Sequence, residues 1–485
     1  MLETPSPTLV RSVSASQKWL APSKTVVEVV IGTVSKPSLQ STEVNVNVQV
    51  KAIERERPHI EAPPLPWYRE VTRDQWLAFW ATFMGWVVDA FDFNILTFIL
   101  IDIQRSFTVD RALAGALGTV TLVMRLIGGA VAGTAADKWG RKLPLMLSIL
   151  WFSLFACLSG FSTSYTMLFA LRALFGIGMG GEWAAGMPLV LEHWPARLRG
   201  LASGLLLGGW YWGYLLAAAV FQFVYPLFNG TPDLAWRAMF WVAIVPSLLT
   251  LWIRSGVPES PVWLERQRRL REAERQGRKS TEPIISFVRI FQRDLIWTTV
   301  QCTAVIGAFM CSYYSINFWY PTFLREAGRP VLGYLVGFNL GAIGGTALFG
   351  RLSETALGRR GAATSAALLG LASIPLYVHA HSAGTLWLGA LLMGSCGSGI
   401  WGVAPAYVNE RYPTSVRGVG PGFTYHAGAA IGAVMPVVLG LMQDHGIALV
   451  DAMTVAMVGA GLLAASLIWL GPETRGRRFT ADDAA

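Results

Sequence analysis

Residues 76–103, WLAFWATFMGWVVDAFDFNILTFILIDI, decide the reading of the whole chain. About 20 residues suffice to cross a bilayer at about 1.5 Å of rise each, and this stretch is apolar enough to do so. Yet Asp89 and Asp92 stand near its middle. An ionised group there is costly, so intramembrane acids as a rule face a wet cavity and carry function. Their spacing of three puts both on one helical face. The plainer alternative is a polar contact between helices. On the first reading, the rest of the chain is a scaffold around an acidic face.

Composition sets the class. Of 485 residues, 53% are hydrophobic and only 14% charged, against about a quarter charged in soluble domains, so this is an integral membrane protein. The net charge of +9 falls in short clusters between apolar spans. That suits loops beside anionic lipid better than a nucleic-acid surface. Cys157, Cys302, Cys311 and Cys396 all lie inside apolar spans without metal-ligand spacing.

Residues 1–70 carry no helical stripe and read as a disordered tail, since TVVEVVIG is too short and too interrupted for a signal-peptide core. Twelve apolar segments follow, at roughly 76–103, 111–135, 143–161, 165–191, 199–225, 235–254, 294–320, 331–351, 361–380, 384–408, 418–442 and 446–470. The sequence therefore predicts an all-α membrane protein with an N-terminal six-helix bundle over 71–255 and a linker over 256–293. A C-terminal six-helix bundle over 294–470 and a short tail over 471–485 complete it. Lys138, Arg141, Lys142, Arg197, Arg199, the run RQRRLREAERQGRK at 266–279, Arg359, Arg360, Arg411 and Arg417 occupy alternate loops. By the positive-inside rule those loops and both termini are cytoplasmic, in a plasma (inner) membrane.

The two halves repeat. GTAADKWGRK from Gly133 and GRLSETALGRR from Gly350 are offset by 217, EHWPARLRGLASG from Glu192 and ERYPTSVRGVGPG from Glu410 by 218, and Pro258-Glu259-Ser260 and Pro472-Glu473-Thr474 by 214. Parallel repeats of this kind place a site at their interface near the bilayer midplane.

These pieces, with Arg172 in the fourth span, PESPVWL at 258–264 and PETRG at 472–476, resemble the signatures of the major facilitator superfamily over about 76–476. Within it, GWVVDAFDF, MRLIGGAVAGTAADKWGRK, LFGIGMGGEW and SGLLLGGWYWGYLLAA resemble the sialate:proton symporter family of sialic acid and monocarboxylate permeases. The chain departs from the lactate-type seventh-span motif. Aligned on the following Pro-Thr, it has Met310, Tyr313, Tyr314, Ile316, Asn317, Phe318 and Thr322, of which only the threonine matches. That counts against lactate itself. The resemblance implies that spans 1, 4, 7 and 10 line a cavity, that Arg172 takes part in coupling, and that the activity is proton symport by alternating access.

The repeat separates architecture from function. Asp89 and Asp92 map to Ile306 and Phe309, Arg125 to Ala342, Arg172 to Ala390 and Glu182 to Ile400. The charges sit in one half only; the other offers Tyr313, Tyr314, Asn317, Asn339, Trp401, Tyr425 and His426 as neutral cavity-lining candidates. Two carboxylates three residues apart repel in a low dielectric, and Asp92 or Glu182 is the expected proton carrier. Arg125 offers a bidentate fork that either grips an anionic substrate or neutralises Asp89. Gly133, Asp137, Gly140 and Arg141 read as a cytoplasmic charge latch with Glu192 and Arg417 as partners.

The leading expectation is a secondary transporter coupling a small organic anion, a carboxylate such as a sialic or monocarboxylic acid, to proton entry. Its partners are that anion, protons and the lipid bilayer; no nucleic acid, cofactor or metal is expected, and no oligomer is required. A sugar or polyol porter is the alternative that PESPVWL suggests, against which Arg125 counts. A solute-sensing receptor would need a larger cytoplasmic domain than 266–293 or 471–485 supplies. An enzyme would need a nucleophile–base or metal constellation, and no spacing here provides one. Gly176, Gly178 and Gly181 fit a dinucleotide fingerprint, but inside an apolar span they suit close helix packing.

Overall fold

The computed structural model describes residues 67–109, 111–228, 230–242, 244, 256–276 and 286–479. The expected tail, up to residue 66, lies outside them, as do most of the second half of the sixth span and residues 277–285 and 480–485. After a single helical turn at Trp67–Glu70, the first long helix, α1 (Arg73–Phe107), outruns the apolar stretch at both ends. Thr72 starts it with a capping box, its side chain accepting from Gln75 N–H while Gln75 Oε1 accepts from Thr72 N–H. Thr108, in the left-handed region at φ 53°, stops it.

The chain continues as α2 (Arg111–Trp139), α3 (Lys142–Ser159), α4 (Tyr165–His193), α5 (Arg199–Phe223) and α6 (Pro232–Val242). After the linker helix Pro261–Arg275 come α7 (Ile296–Asn317), α8 (Val331–Leu352), α9 (Gly358–Val378), α10 (Ala383–Asn409), α11 (Val419–Gly432) and α12 (Leu449–Leu467). Among the described residues no strand occurs, and 11 helical stretches are long and apolar enough to cross a membrane. The remaining expected span begins with α6 and runs beyond the described residues.

Two helices are interrupted. In α4 a π-helical turn spans Glu182–Gly186; in α10 a π turn at Met393–Gly397 is followed by a 3-10 turn at Gly399–Gly402. Such turns re-aim the side chains beyond them and cluster at functional sites. The glycines of α4 serve packing, as their spacing suggests. A Cβ on Gly176 would lie 2.3 Å from the Thr121 carbonyl oxygen, and one on Gly180 2.4 Å from that of Arg125.

The two halves of the sequence meet along two seams. Helix α5 crosses α8, where a Cβ on Gly204 would fall 2.1 Å from the Thr346 carbonyl oxygen. Helix α2 crosses the start of α11, where a Cβ on Gly133 would fall 2.6 Å from Val419 Cα. Without side chains at these positions, backbone lies against backbone.

Candidate functional site

Asp89 and Asp92 share a face of α1 but face different bases. Asp89 is fully buried, and its Oδ2 accepts from Arg125 Nη2 of α2 at 3.4 Å. Among the described residues neither oxygen of Asp92 accepts a hydrogen bond, and Arg172 of α4 lies within electrostatic range. The Arg172 guanidinium likewise makes no hydrogen bond among the described residues and lies over the rings of Phe175 (3.9 Å) and Phe240 (5.4 Å). Buried charges are normally hydrogen-bonded or tightly paired. Asp89–Arg125 is a loose pair, and Asp92 and Arg172 make no hydrogen bond to each other. Glu182, also fully buried, opens the π turn of α4 within electrostatic range of Asp89. The structure thus gathers all five charges singled out in the sequence.

The second half brings aromatic groups to the same layer. The Tyr425 ring lies 6.0 Å from Arg125 Cζ and stacks on Trp183 at 3.7 Å and 15°. Trp401 meets Tyr425 edge-on at 6.2 Å, and Trp210 Nε1 donates to Tyr313 Oη at 3.2 Å. Tyr313 in turn packs edge-on against Tyr314 and Trp401. His426 is used across the seam, its Nε2 bonding to the Gly180 carbonyl oxygen at 3.1 Å while its edge fills the space that a side chain at Gly129 would need. Asn317 and Asn339 donate to the carbonyls of Tyr313 and Leu335 in their own helices. None of those bonds reaches the acid–arginine groups.

The sequence reading missed Trp86 and Trp183. Both are fully buried, 5.7 Å apart, and they join Trp210 and Tyr425 into one aromatic wall. Only their proximity in sequence to Asp89 and Glu182 hinted at it.

The latch residues converge more tightly. Asp137 accepts from Arg141 Nη1 (2.6 Å) and from the backbone N–H groups of Gly418 (2.7 Å) and Val419 (3.0 Å), at the N-terminus of α11. That end of a helix favours an anion. Glu192 bridges Arg141 (3.2 Å) and Arg417 (3.3 Å). Burial opposes the charge on Arg141, but Glu192 and Asp137 more than offset it and hold the guanidinium protonated. Gly133 forms the close approach of α2 to α11. Gly140, at φ +95°, turns the chain so that the N–H groups of Arg141 and Lys142 donate to Glu259 at 2.9 and 3.0 Å.

The second half repeats this network. Arg359 pairs with Glu410 (2.8 Å) and Glu354 (2.9 Å), and the N–H groups of Arg359 and Arg360 donate to Glu473 at 2.8 and 3.1 Å. Glu354 then accepts the N–H of Gly200 in the first half, as Asp137 accepts that of Gly418 in the second. Glu354 follows Asp137 by 217 residues and Gly418 follows Gly200 by 218, so the repeat offset pointed to this second latch, which the motif reading alone passed over.

Comparison with known proteins agrees with this architecture. The sequence profile of the Major Facilitator Superfamily matches residues 76–436. The chain is 33% identical over 422 residues to a probable 4-methylmuconolactone transporter of Cupriavidus pinatubonensis, covering 84% of this chain and 93% of that protein. It is 30% identical to the sialic acid transporter NanX of Escherichia coli, covering 76% and 88% respectively. It is also 30% identical to the cis,cis-muconate transport protein of Acinetobacter baylyi, with the same two coverages. A solved structure of the proton:xylose symporter XylE superposes with a TM-score of 0.66 at 18% identity, over 84% of this chain and 98% of that one. The chain is a multi-pass membrane transporter, not an enzyme, and it belongs to the Major Facilitator Superfamily.

Proposed function

We propose that this transporter is a symporter that carries a small organic carboxylate together with protons, by alternating access. The observation that carries the proposal is the pair of loosely held acid–arginine groups, Asp89 with Arg125 and Asp92 beside Arg172, buried in membrane-spanning helices. A carboxylate and a guanidinium that do not hold each other tightly are available to exchange partners. Asp89 balances and orients Arg125 loosely enough for a substrate carboxylate to share the guanidinium, while the coupled proton is taken up beside that pair. Asp92, without a hydrogen bond among the described residues and within electrostatic range of Arg172, is the proton carrier in this scheme, with Glu182 second to it. Trp401, Tyr313, Tyr314 and Tyr425 wall the substrate, and Asn317, Asn339 and His426 supply polar contacts once the halves part. Relatives named for sialic acid and cis,cis-muconate support a carboxylate cargo.

Residues 71–255 and 294–470 are the two rocking bodies in this account, joined by the linker 256–293. Residues 1–70 and 471–485 flank them. The basic loops place both latches and both termini on the cytoplasmic side of a plasma (inner) membrane. The paired latches make the halves separable bodies with matched, breakable contacts at that end. The test is uptake of a panel of organic acids, sugars and polyols into proteoliposomes under an imposed pH gradient. Accumulation of a carboxylate that collapses with the gradient supports the proposal. Gradient-independent uptake, or uptake of neutral sugars alone, contradicts it.

A further inference from the structure

The seam has a third fastening that neither latch accounts for, in the segment beyond the last membrane helix. Its beginning is tied to the second half. Glu473 accepts the N–H groups of Arg359 and Arg360, Thr474 Oγ1 donates to Glu410 Oε2 at 2.7 Å, and Arg475 Nη1 donates to the Thr355 carbonyl. The segment then crosses to the first half, where the Arg477 carbonyl accepts from Arg199 Nη1 at 2.6 Å. Two residues later the Phe479 ring centre lies 3.5 Å from Arg199 Cζ and 3.9 Å from Arg417 Cζ. Two guanidinium groups that close to one ring centre would collide on a single face, so the ring sits between them.

Arg199 begins α5 in the first half, and Arg417 immediately precedes α11 in the second. Both are buried, at 5% and 1% exposure. Two like charges converging on a dry seam repel, and a ring between them offers each an electron-rich face. Neither arginine depends on the ring for its other contacts. Arg199 Nε donates to the Leu191 carbonyl oxygen at 2.9 Å, and Arg417 pairs with Glu192. The ring therefore adds a bond between the halves. The backbone from 473 to 479 must let go of Arg199 whenever α5 and α11 separate.

We propose that residues 473–479 form a strap across the closed seam, pinned by Phe479 between Arg199 and Arg417, and that release of this pin sets the rate at which the latch side opens. The inference rests on the alternating-access reading above. It assigns the strap to the kinetics of opening and to no part of substrate binding.

The test uses Ser203, buried in the seam where its Oγ accepts the Ala406 N–H at 3.3 Å, as the reporter position. Full-length Ser203→Cys protein in membrane vesicles exposing the latch side is treated with a membrane-impermeant maleimide, and protein with Ser203 intact gives the background from the native cysteines. Phe479→Leu keeps apolar bulk without the ring faces and is expected to speed labelling about five- to thirty-fold, the range that losing two such contacts implies. Phe479→Trp keeps the faces and is expected to label at the parent rate. Equal rates for Phe479→Leu and the parent overturn the strap, as does Phe479→Trp labelling as fast as Phe479→Leu. The labelling needs no substrate. A wild type that accumulates no organic acid therefore sinks only the proposed cargo, and unchanged labelling sinks only the strap.

Discussion

The Asp137 carboxylate accepts the backbone N–H of Gly418, 281 residues further along the chain, at 2.7 Å. Glu354 and Gly200 make the same contact in the opposite direction. Each half thus caps a helix of the other with a carboxylate that its own arginine orients. Losing a hydrogen bond to a charged group typically costs about 1.5–3 kcal/mol. Asp137→Asn is expected to leave the protein inserted but to destabilise the latch-closed form. Glu354→Gln should act in the same direction, and the double variant should exceed either. Accessibility of a Ser203→Cys reporter from the latch side measures this; unchanged accessibility in all three variants would contradict it.

The α5–α8 crossing tolerates no side chain at Gly204. A Cβ there would stand 2.1 Å from a backbone oxygen, which cannot rotate away. Gly204→Val is therefore expected to prevent closure of the latch side and to abolish uphill uptake while surface expression persists. A Gly204→Val protein that accumulates substrate at the wild-type rate would show that the seam is not closed during transport.

Glu473 joins the second latch to the strap. Burial works against its charge, but the N–H groups of Arg359, Arg475, Arg360 and Thr474 hold its carboxyl below the usual carboxylate range. A group held lower in the folded state contributes fully above its unfolded value and loses that contribution as pH falls through the folded one. The Tm of purified protein should fall on the acid side of that range. Glu473→Gln should start lower at neutral pH and fall less over the same interval. Parallel curves for the two proteins would remove Glu473 from the acid response.

Topology follows from the loop charges. Reporter fusions after Ala273 and at the C-terminus are expected to read cytoplasmic, and one after Gly328 external. An external signal at Ala273 would overturn the twelve-span arrangement.

What the sequence revealed, and what it hid, has physical reasons. Asp89 and Asp92 were legible because a charge inside an apolar run has no cheap structural use. The two halves were legible because loop motifs recur at nearly constant offset. Trp86 and Trp183 were not, since aromatic residues make up 12% of the chain and periodicity does not distinguish a buried aromatic cluster from a lipid-facing surface. The assignment of Asp89 to Arg125 and Asp92 to Arg172 depends on how α2 and α4 pack on α1, which spacing along the chain does not encode. Asn317 and Asn339 stand out by polarity, but polarity does not tell which partner a helical amide takes; here each donates to the carbonyl four residues earlier. Phe479 follows a short polar stretch, and only the folded seam shows what it joins.

The central claim is that Asp92 carries the coupled proton, and one pair of assays in the same vesicles addresses it. Asp92→Asn stands in for the permanently protonated acid. Exchange of labelled for unlabelled substrate never requires the site to return empty and deprotonated, so counterflow should persist in this variant. Uptake driven by a pH gradient should vanish. Asp89→Asn, which loses the partner of Arg125, should instead weaken substrate binding or folding. An Asp92→Asn protein that still concentrates substrate under a pH gradient would contradict the account and leave Glu182 as the proton carrier to test.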